Sequence, residues 1–362
     1  MSEYKPAYER ALELVLERVA TPGPVGEVVL PRAEGRIAAE TVRAPRPFPP
    51  QPLSMLDGVA VATAGRAEDG QAVRTGEPVP QWAEDVIPSE LVGAGGPVNR
   101  GPGLRPGIVR AGAEYRDGDP ILEAGQKIDH RHVAQLSLFG IERARVFRRP
   151  RIRIAVFDSA PFSEALLAWV AGFVRSYCDV DLSAERIGAL EGMRFLGEET
   201  DLGLVLSDGA PGRYDEIKGL ERGELEGYEP VFWKLGLSPP KHVGFGVLGG
   251  VPVLVFPDVF FKTVLSAMAF LPTVLAAWVG ARPRTRPARW AELPEISYPF
   301  PCLVPLRFGE KREGLEVAAT PLRSSFSARW ASAAEGYVIL ERPPREDDEL
   351  DAVELGELTA EA

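Results

Sequence analysis

The chain has 362 residues, 45% of them hydrophobic and 26% charged, with a net charge of −11. That length exceeds what one ordinary core fills, so several domains are expected, and the acidic balance argues against a nucleic-acid partner, since nothing would neutralise phosphates along a duplex. The two cysteines, Cys178 and Cys302, give no spacing for a zinc site or a disulfide framework, which fits a reduced, cytoplasmic setting.

Between Met1 and Ala20, Ala7, Leu12, Val15 and Val19 recur at helical spacing among charges. This predicts an amphipathic helix rather than a signal peptide. From Ala44 to Gly118 the chain is dense in proline and glycine with short β-type runs such as Val59–Val61, the pattern of a small β-rich domain with many turns. Ile121–Gly125 reads as a strand entering a turn, and His130–Leu138 as a helix closed by Gly140.

Arg148-Arg149-Pro150-Arg151 marks a boundary. Beyond it, strand Ile152–Phe157, helix Ser163–Tyr177, strand Leu202–Leu206, helix Tyr214–Leu220, strand Val251–Phe256 and helix Phe261–Val279 alternate. Such alternation predicts a parallel sheet covered on both faces, with its ligand site at the carboxyl ends of the strands. Thr263–Gly280 carries no charge, but it includes Thr263, Ser266, Pro272 and Thr273 and falls short of the about 20 apolar residues a bilayer needs. It is expected to be a buried helix, and no membrane partner is expected. Arg282–Pro287 reads as a linker, the segment up to about Leu355 as a β-rich domain, and the acidic Arg345–Ala362 as a solvated edge and tail.

Two patterns are expected to carry no chemistry. Gly244-Phe245-Gly246-Val247-Leu248-Gly249 satisfies G-x-G-x-x-G, but a strand follows it where a dinucleotide fingerprint needs a helix. A hairpin turn is expected there. His130 and His132 are two apart and would point different ways on a helix, so they do not share a metal. His242 keeps a claim to ligand contact because it adjoins Lys241. The chain has seven lysines, and two of them, Lys234 and Lys241, fall within eight residues.

Several segments, in order, resemble one family. Ser54-Met55-Leu56-Asp57-Gly58-Val59-Ala60 is similar to S-x-M-D-G-Y-A, Thr75-Gly76-Glu77-Pro78-Val79-Pro80 to T-G-A-P-V-P, and Arg110–Glu114 to an arginine and G-E-D segment. Tyr214-Asp215 matches the end of G-G-V-S-V-G-D-Y-D, Phe232-Trp233-Lys234 matches F-W-K, and Lys241 falls on the lysine of P-G-K-P. The chain thus resembles the molybdopterin molybdenumtransferases, the family of MoeA and the E domain of gephyrin, as a divergent member.

The resemblance implies a multi-domain α/β plus β fold. Its parts would be an N-terminal and linker domain (1–44 with 119–149), an inserted β-rich domain (45–118), an α/β molybdopterin-binding, MogA-like domain (150–281) and a C-terminal β-barrel-like domain (287–355). It implies insertion of molybdate or tungstate into adenylylated molybdopterin, with Mg2+, by a cytoplasmic homodimer whose site is completed by the partner chain. The implied catalytic residues are Asp57, Thr75, Glu114 and Asp215. Ser54, Lys234, Lys241, Ser207 and Gly209 would bind the cofactor, and Asp57 and Asp215 the metal.

The phosphate loops depart from the family pattern. Asp208 and Asp258 stand where phosphates should approach, and Pro239-Pro240-Lys241-His242 replaces P-G-K-P. These changes keep open an alternative, a non-catalytic molybdopterin-binding or scaffold paralogue.

Overall fold

The first helix, α1 (Tyr8–Leu16), turns Tyr8, Ala11, Leu14 and Val15 inward. Val15 and the following Val19 are buried as the periodicity predicts, whereas Ala7 is exposed and precedes the helix. The computed structural model describes residues 5–19, 21–62, 70–92, 107–157, 163–197, 199–207, 213–256, 259–296, 299–310, 317–321 and 333–360. The chain divides into two units. Unit 1 is Met1–Glu40, Ala124–His130 and Arg143–Ala362, and unit 2 is Thr41–Glu123 with Arg131–Glu142.

After α1, β1 (Val25–Val29) waits in unit 1 for a later partner while the chain builds unit 2. Its strands are β2 (Val42–Arg43), β3 (Leu53–Ser54), β4 (Gly58–Val61), β5 (Gln71–Val73), β6 (Asp85–Pro88), β7 (Ile108–Val109) and β8 (Pro120–Leu122), with a short helix α2 (Ser89–Val92). They form β2–β8 and β3–β7 pairs and a three-stranded β5-β4-β6 sheet. Helix α3 (His130–Leu138) ends as predicted: Gly140 has φ +73°, and the N–H groups of Gly140 and Ile141 donate to the carbonyls of Ser137 and Leu136 at 2.9 and 3.1 Å. Strand β9 (Arg143–Phe147) then returns to unit 1 and pairs with β1.

Unit 1 is built on a six-stranded sheet: β10 (Arg151–Phe157), β11 (Asp181–Ile187), β12 (Leu202–Leu206), β13 (Tyr228–Lys234), β14 (His242–Leu248) and β15 (Val251–Phe256), in the order β11-β10-β12-β15-β14-β13. Its neighbours in sequence are α4 (Ser163–Tyr177), α5 (Arg213–Glu221) and α6 (Phe260–Trp278). Alternate residues of one strand feed two cores. Ile152, Ile154 and Val156 pack with α4 and α6, while Ala155 and Phe157 pack with Ile217 and Leu220 of α5 and with the 3-10 helix Leu190–Leu196. Covering both faces is why β12 and β15 are apolar at every position.

The sheet is mixed, which corrects the expectation of a parallel one. β10, β11, β12 and β15 are parallel, but β14 is antiparallel to both β15 and β13. The cause is the Gly249-Gly250 turn, with φ +57° and +91°, which returns the chain directly and leaves no room for a crossover helix. The hairpin turn therefore lies at Gly249-Gly250, and Gly244 and Gly246 are inside β14. There a Cβ would run into the rings of Trp233 and Tyr228 respectively.

Helix α6 is long and apolar enough to cross a membrane by length and composition, but it lies in the core with most of its residues buried. The chain leaves it for a closed five-stranded barrel of β16 (Ala281–Trp290), β17 (Cys302–Glu310), β18 (Val317–Pro321), β19 (Gly336–Leu340) and β20 (Glu349–Ala360), in the order β16-β18-β17-β19-β20. The segment Arg282–Pro287 is therefore barrel strand, not linker. It pairs with β20 along most of its length, and among the described residues β18 pairs with β16 at Ala288–Trp290. Arg284 and Arg286 both pair with the largely buried Glu354 of β20, at 2.9 and 2.8 Å.

Close packing at β14 predicts a contrast between two strand glycines. Gly246→Ala should destabilise unit 1 by about 1–3 kcal/mol through overpacking against Tyr228. Gly26→Ala, where a Cβ meets nothing within 4 Å, should leave thermal stability unchanged or slightly higher. Paired denaturation curves check both.

Candidate functional site

Two clusters of the expected site residues form, one in each unit. In unit 2, β3 brings Ser54 into a tight local turn: its buried hydroxyl donates to Leu56 O at 2.6 Å and accepts from Leu56 N at 3.3 Å. The backbone of Ser54 pairs with the Thr75 loop, donating to Glu77 O at 2.9 Å and accepting from Gly76 N at 2.8 Å. That loop closes on itself. Glu77 N donates to Arg74 O at 3.0 Å, Arg74 N donates to Glu77 Oε2 at 2.9 Å, and Gly76 takes φ +81°.

The two loops together fix Asp57. Its Oδ1 accepts from Thr75 N at 2.7 Å and from Thr75 Oγ1 at 3.0 Å, and its carbonyl accepts from Ser89 N at 2.9 Å. Gly58 is required by space, since a Cβ there would strike the Ile87 carbonyl across the β4–β6 ladder. The Thr75 backbone N–H, then its hydroxyl and more weakly the Arg74 charge hold the Asp57 carboxyl below its ordinary range. The carboxylate is thus ionised, oriented and exposed. Glu114 is also exposed in unit 2, in a turn whose N–H of Glu114 donates to Phe48 O at 3.1 Å. Among the described residues, no hydrogen bond or ion pair joins it to Asp57 or Thr75.

In unit 1, the candidates gather at one edge of the sheet. β10, β12, β15 and β13 point the same way, because β13 and β15 both oppose β14. Their carboxyl ends, with the start of β14, therefore share an edge, where ligands of open α/β sheets bind. Ser207 follows β12 there, buried, with its N–H on Phe256 O at 3.1 Å and its carbonyl 3.5 Å from Thr263 Oγ1. Lys234 ends β13 in register with His242, and Leu235 N donates to Lys241 O at 2.9 Å, so one hairpin brings the two lysines together. Lys241 is exposed and Lys234 half-buried.

Asp215 lies on α5, which follows β12; its side chain, like all of Gly209, Asp208 and Asp258, lies outside the described residues. Sequence reading missed Ser89 and Arg74. A signal existed for Arg74, which immediately precedes the matched Thr75-Gly76, but none for the Ser89 amide.

Among the described residues no three His, Cys, Asp or Glu side chains group to hold a metal. Asp57 offers an exposed carboxylate with one oxygen outside the Thr75 bonds. That suits a magnesium ion that keeps its waters and takes its other ligands from substrate phosphates, which needs only one or two carboxylates.

Residues 7–140, which include Asp57, Thr75 and Glu114, match the family model for the MoeA N-terminal region, domains I and II. Over this region the chain is similar to MoeA proteins. It is 28% identical to molybdopterin molybdenumtransferase 1 of Mycobacterium tuberculosis over 222 residues, 54% of this chain and 50% of the relative. It is 25% identical to a molybdopterin molybdenumtransferase of Haemophilus influenzae over 289 residues, 66% of this chain and 69% of the relative. The match thus spans about half the length of the Mycobacterium relative. Among solved structures, the fold is similar to a molybdopterin biosynthesis MoeA protein from Pyrococcus horikosii, with TM-score 0.66 and 20% identity, covering 98% of this chain and 100% of that one. A molybdenum cofactor biosynthesis protein from Pyrococcus furiosus gives TM-score 0.58 at 17% identity, covering 98% of both chains. MoeA-type folds combine several domains and mixed sheets, as this chain does.

The Asp57–Thr75 pair predicts a titration. Thr75→Val removes the hydroxyl bond and keeps the backbone one, so the Asp57 midpoint should rise yet stay below the ordinary aspartate value near 3.9. The sign follows from linkage. A depressed carboxyl stabilises the fold above its unfolded pKa and loses that contribution as pH falls through its folded value. Carbon-detected NMR titration of both proteins checks this, and identical midpoints would remove the hydroxyl from the arrangement.

Proposed function

We propose that this chain acts in molybdenum cofactor biosynthesis on a molybdopterin-type small molecule. The observation that carries the reading is Asp57, ionised and aimed by both donors of Thr75 in the region that matches the MoeA model. The printed names of the relatives support the substrate class. The finer reading is insertion of molybdate or tungstate, as substrate, into adenylylated molybdopterin.

On this reading, residues 45–118 supply a carboxylate half-site and residues 150–281 a cation half-site. Asp57 would hold magnesium, and Thr75 keeps that carboxylate deprotonated and pointed. Magnesium would supply charge neutralisation as phosphate and oxyanion approach one another. Lys234 and Lys241 offset the anionic charge, and the backbone at Ser207 and Gly209 approaches phosphate. Asp215 and Glu114 are assigned secondary roles in organising the oxyanion. The working form is a homodimer, the state in which the resemblance has each site completed by a partner chain. The non-catalytic alternative leans on Asp208 and Asp258, outside the described residues, and is not the reading adopted.

Asp57→Asn should abolish magnesium-dependent molybdate insertion while leaving the melting temperature close to wild type, because an exposed turn position costs the fold little and an amide does not replace a metal-organising carboxylate. An insertion assay with equal rates for both proteins would sink the reading. Lys234→Ala and Lys241→Ala should each weaken AMP, used as a fragment of the nucleotide, by about tenfold in low salt, with the difference shrinking as salt screens the charge. Calorimetry at two ionic strengths measures this. Unaltered affinity would place the phosphate elsewhere.

A further inference from the structure

The hairpin that carries Lys234 and Lys241 is held at its tip by two segments remote in sequence. Gly236 N donates to Pro6 O at 2.9 Å, Ser238 N donates to Pro301 O at 2.9 Å, and Pro239 O accepts from Leu303 N at 3.1 Å. The first strap is itself anchored. Pro6 is buried, and Tyr8, two residues on, sets its ring edge-on to Phe270 and donates its hydroxyl to Ala269 O at 2.5 Å. Position 236 is tight, because a Cβ there would lie 3.3 Å from Pro6 O, which would have to give by tenths of an ångström, and 3.4 Å from Ala7 Cα, so a larger side chain has little space. Both obstacles are backbone, and Gly236 is not among the glycines with positive φ. The glycine is needed for close approach, not for an unusual conformation.

We propose that Gly236 is a positioning residue for the two lysines, with the Pro6 carbonyl as its partner. The N-terminal strap presses on Gly236, and Gly236 adjoins Leu235, whose N–H closes the hairpin neck on the carbonyl of Lys241. A side chain at 236 must push the strap and the tip apart, and the nearest charged groups on the tip are Lys234 and Lys241. The inference rests on the reading that these lysines receive the phosphate-bearing ligand.

The test uses the full chain and AMP as the probe. Gly236→Val should weaken AMP binding by about tenfold, as expected when a binding group is displaced by a fraction of an ångström to an ångström. Gly236→Ala should show a smaller loss of about two- to threefold, because a lone Cβ needs a shift of only tenths of an ångström. Ile152→Val, a core change at the amino end of β10, away from the sheet edge that carries the lysines, provides the comparison: it should lower thermal stability and leave AMP affinity at the wild-type value. If Gly236→Val does not fold, the Gly236→Ala and Ile152→Val pair decides. Wild-type affinity in a folded Gly236 variant overturns the proposal when the lysine variants do weaken binding. So does a loss in Ile152→Val as large as that at Gly236, since binding would then merely follow stability. If neither lysine variant weakens AMP binding, the assignment of the lysines fails, and the role of Gly236 fails with it.

Discussion

Unit 1 depends on the need to cover α6. Its sequence, Phe260–Trp278, carries almost no polar face, so a sheet on one side would leave most of it in water. Burial is worth roughly 25 cal/mol for each Å² of apolar surface, so an all-round apolar helix of this length organises whatever is available to cover it. Four elements do so: α1, α4, the sheet, and the barrel strands that follow. The N-terminal helix is drawn in across the whole length of the chain, with Tyr8 stacked edge-on against Phe270 and its hydroxyl capping the Ala269 carbonyl. Phe232 packs on Phe270 from the other direction, at 6.4 Å between centroids, and so ties the lysine hairpin to the same helix.

The two clusters achieve order by different means. Around Asp57 the device is local: short turns with a serine, a threonine and glycines bond their own backbone groups and leave the Asp57 carboxylate exposed to solvent. The donors on Asp57 are neutral, so they lower its pKa without cancelling its charge, which an arginine partner would do. Around the lysines the device is non-local, since the hairpin tip borrows hydrogen-bond partners from the N-terminal segment and from the entry to the barrel. A local turn keeps its geometry through changes elsewhere in the fold. A clamped hairpin keeps its geometry only while its clamps hold.

The strongly periodic elements were legible in the sequence. Helix α4 and strands β12 and β15 lie where apolar pattern places them, because each buries an uninterrupted or regularly spaced apolar set, while α3, which buries only Leu136, ends where its Gly140 cap places it. β11 was not legible: Asp181-Leu182-Ser183-Ala184-Glu185-Arg186-Ile187 is a mostly exposed edge strand, so no burial pattern marks it. β16 was misread because Arg-Pro repeats look like linker chemistry, and only the pairing with β20 shows a strand there. For the candidate site, motif order singled out Asp57 and Thr75, but their contact depends on how two loops pair across 18 positions. The Gly236–Pro6 contact spans the chain and leaves no sequence signal beyond a glycine.

The same distinction explains where this chain departs from the sequence pattern it resembles. At Ser54-Met55-Leu56-Asp57-Gly58 the changed residues are Leu56 and Val59, which pack beneath or beside the turn, while Ser54, Asp57 and Gly58, which set its hydrogen bonds and its close approach to Ile87, stay as they are. In the lysine hairpin two of the departures, Ser238 and Pro240, fall on the tip, where backbone contacts of Ser238 to Pro301 and of Pro239 to Leu303 fix the path, and a third, His242, opens β14. Side chains change most readily where backbone geometry is determined from outside. They are held where they themselves supply the donor, the charge or the missing Cβ that the arrangement needs.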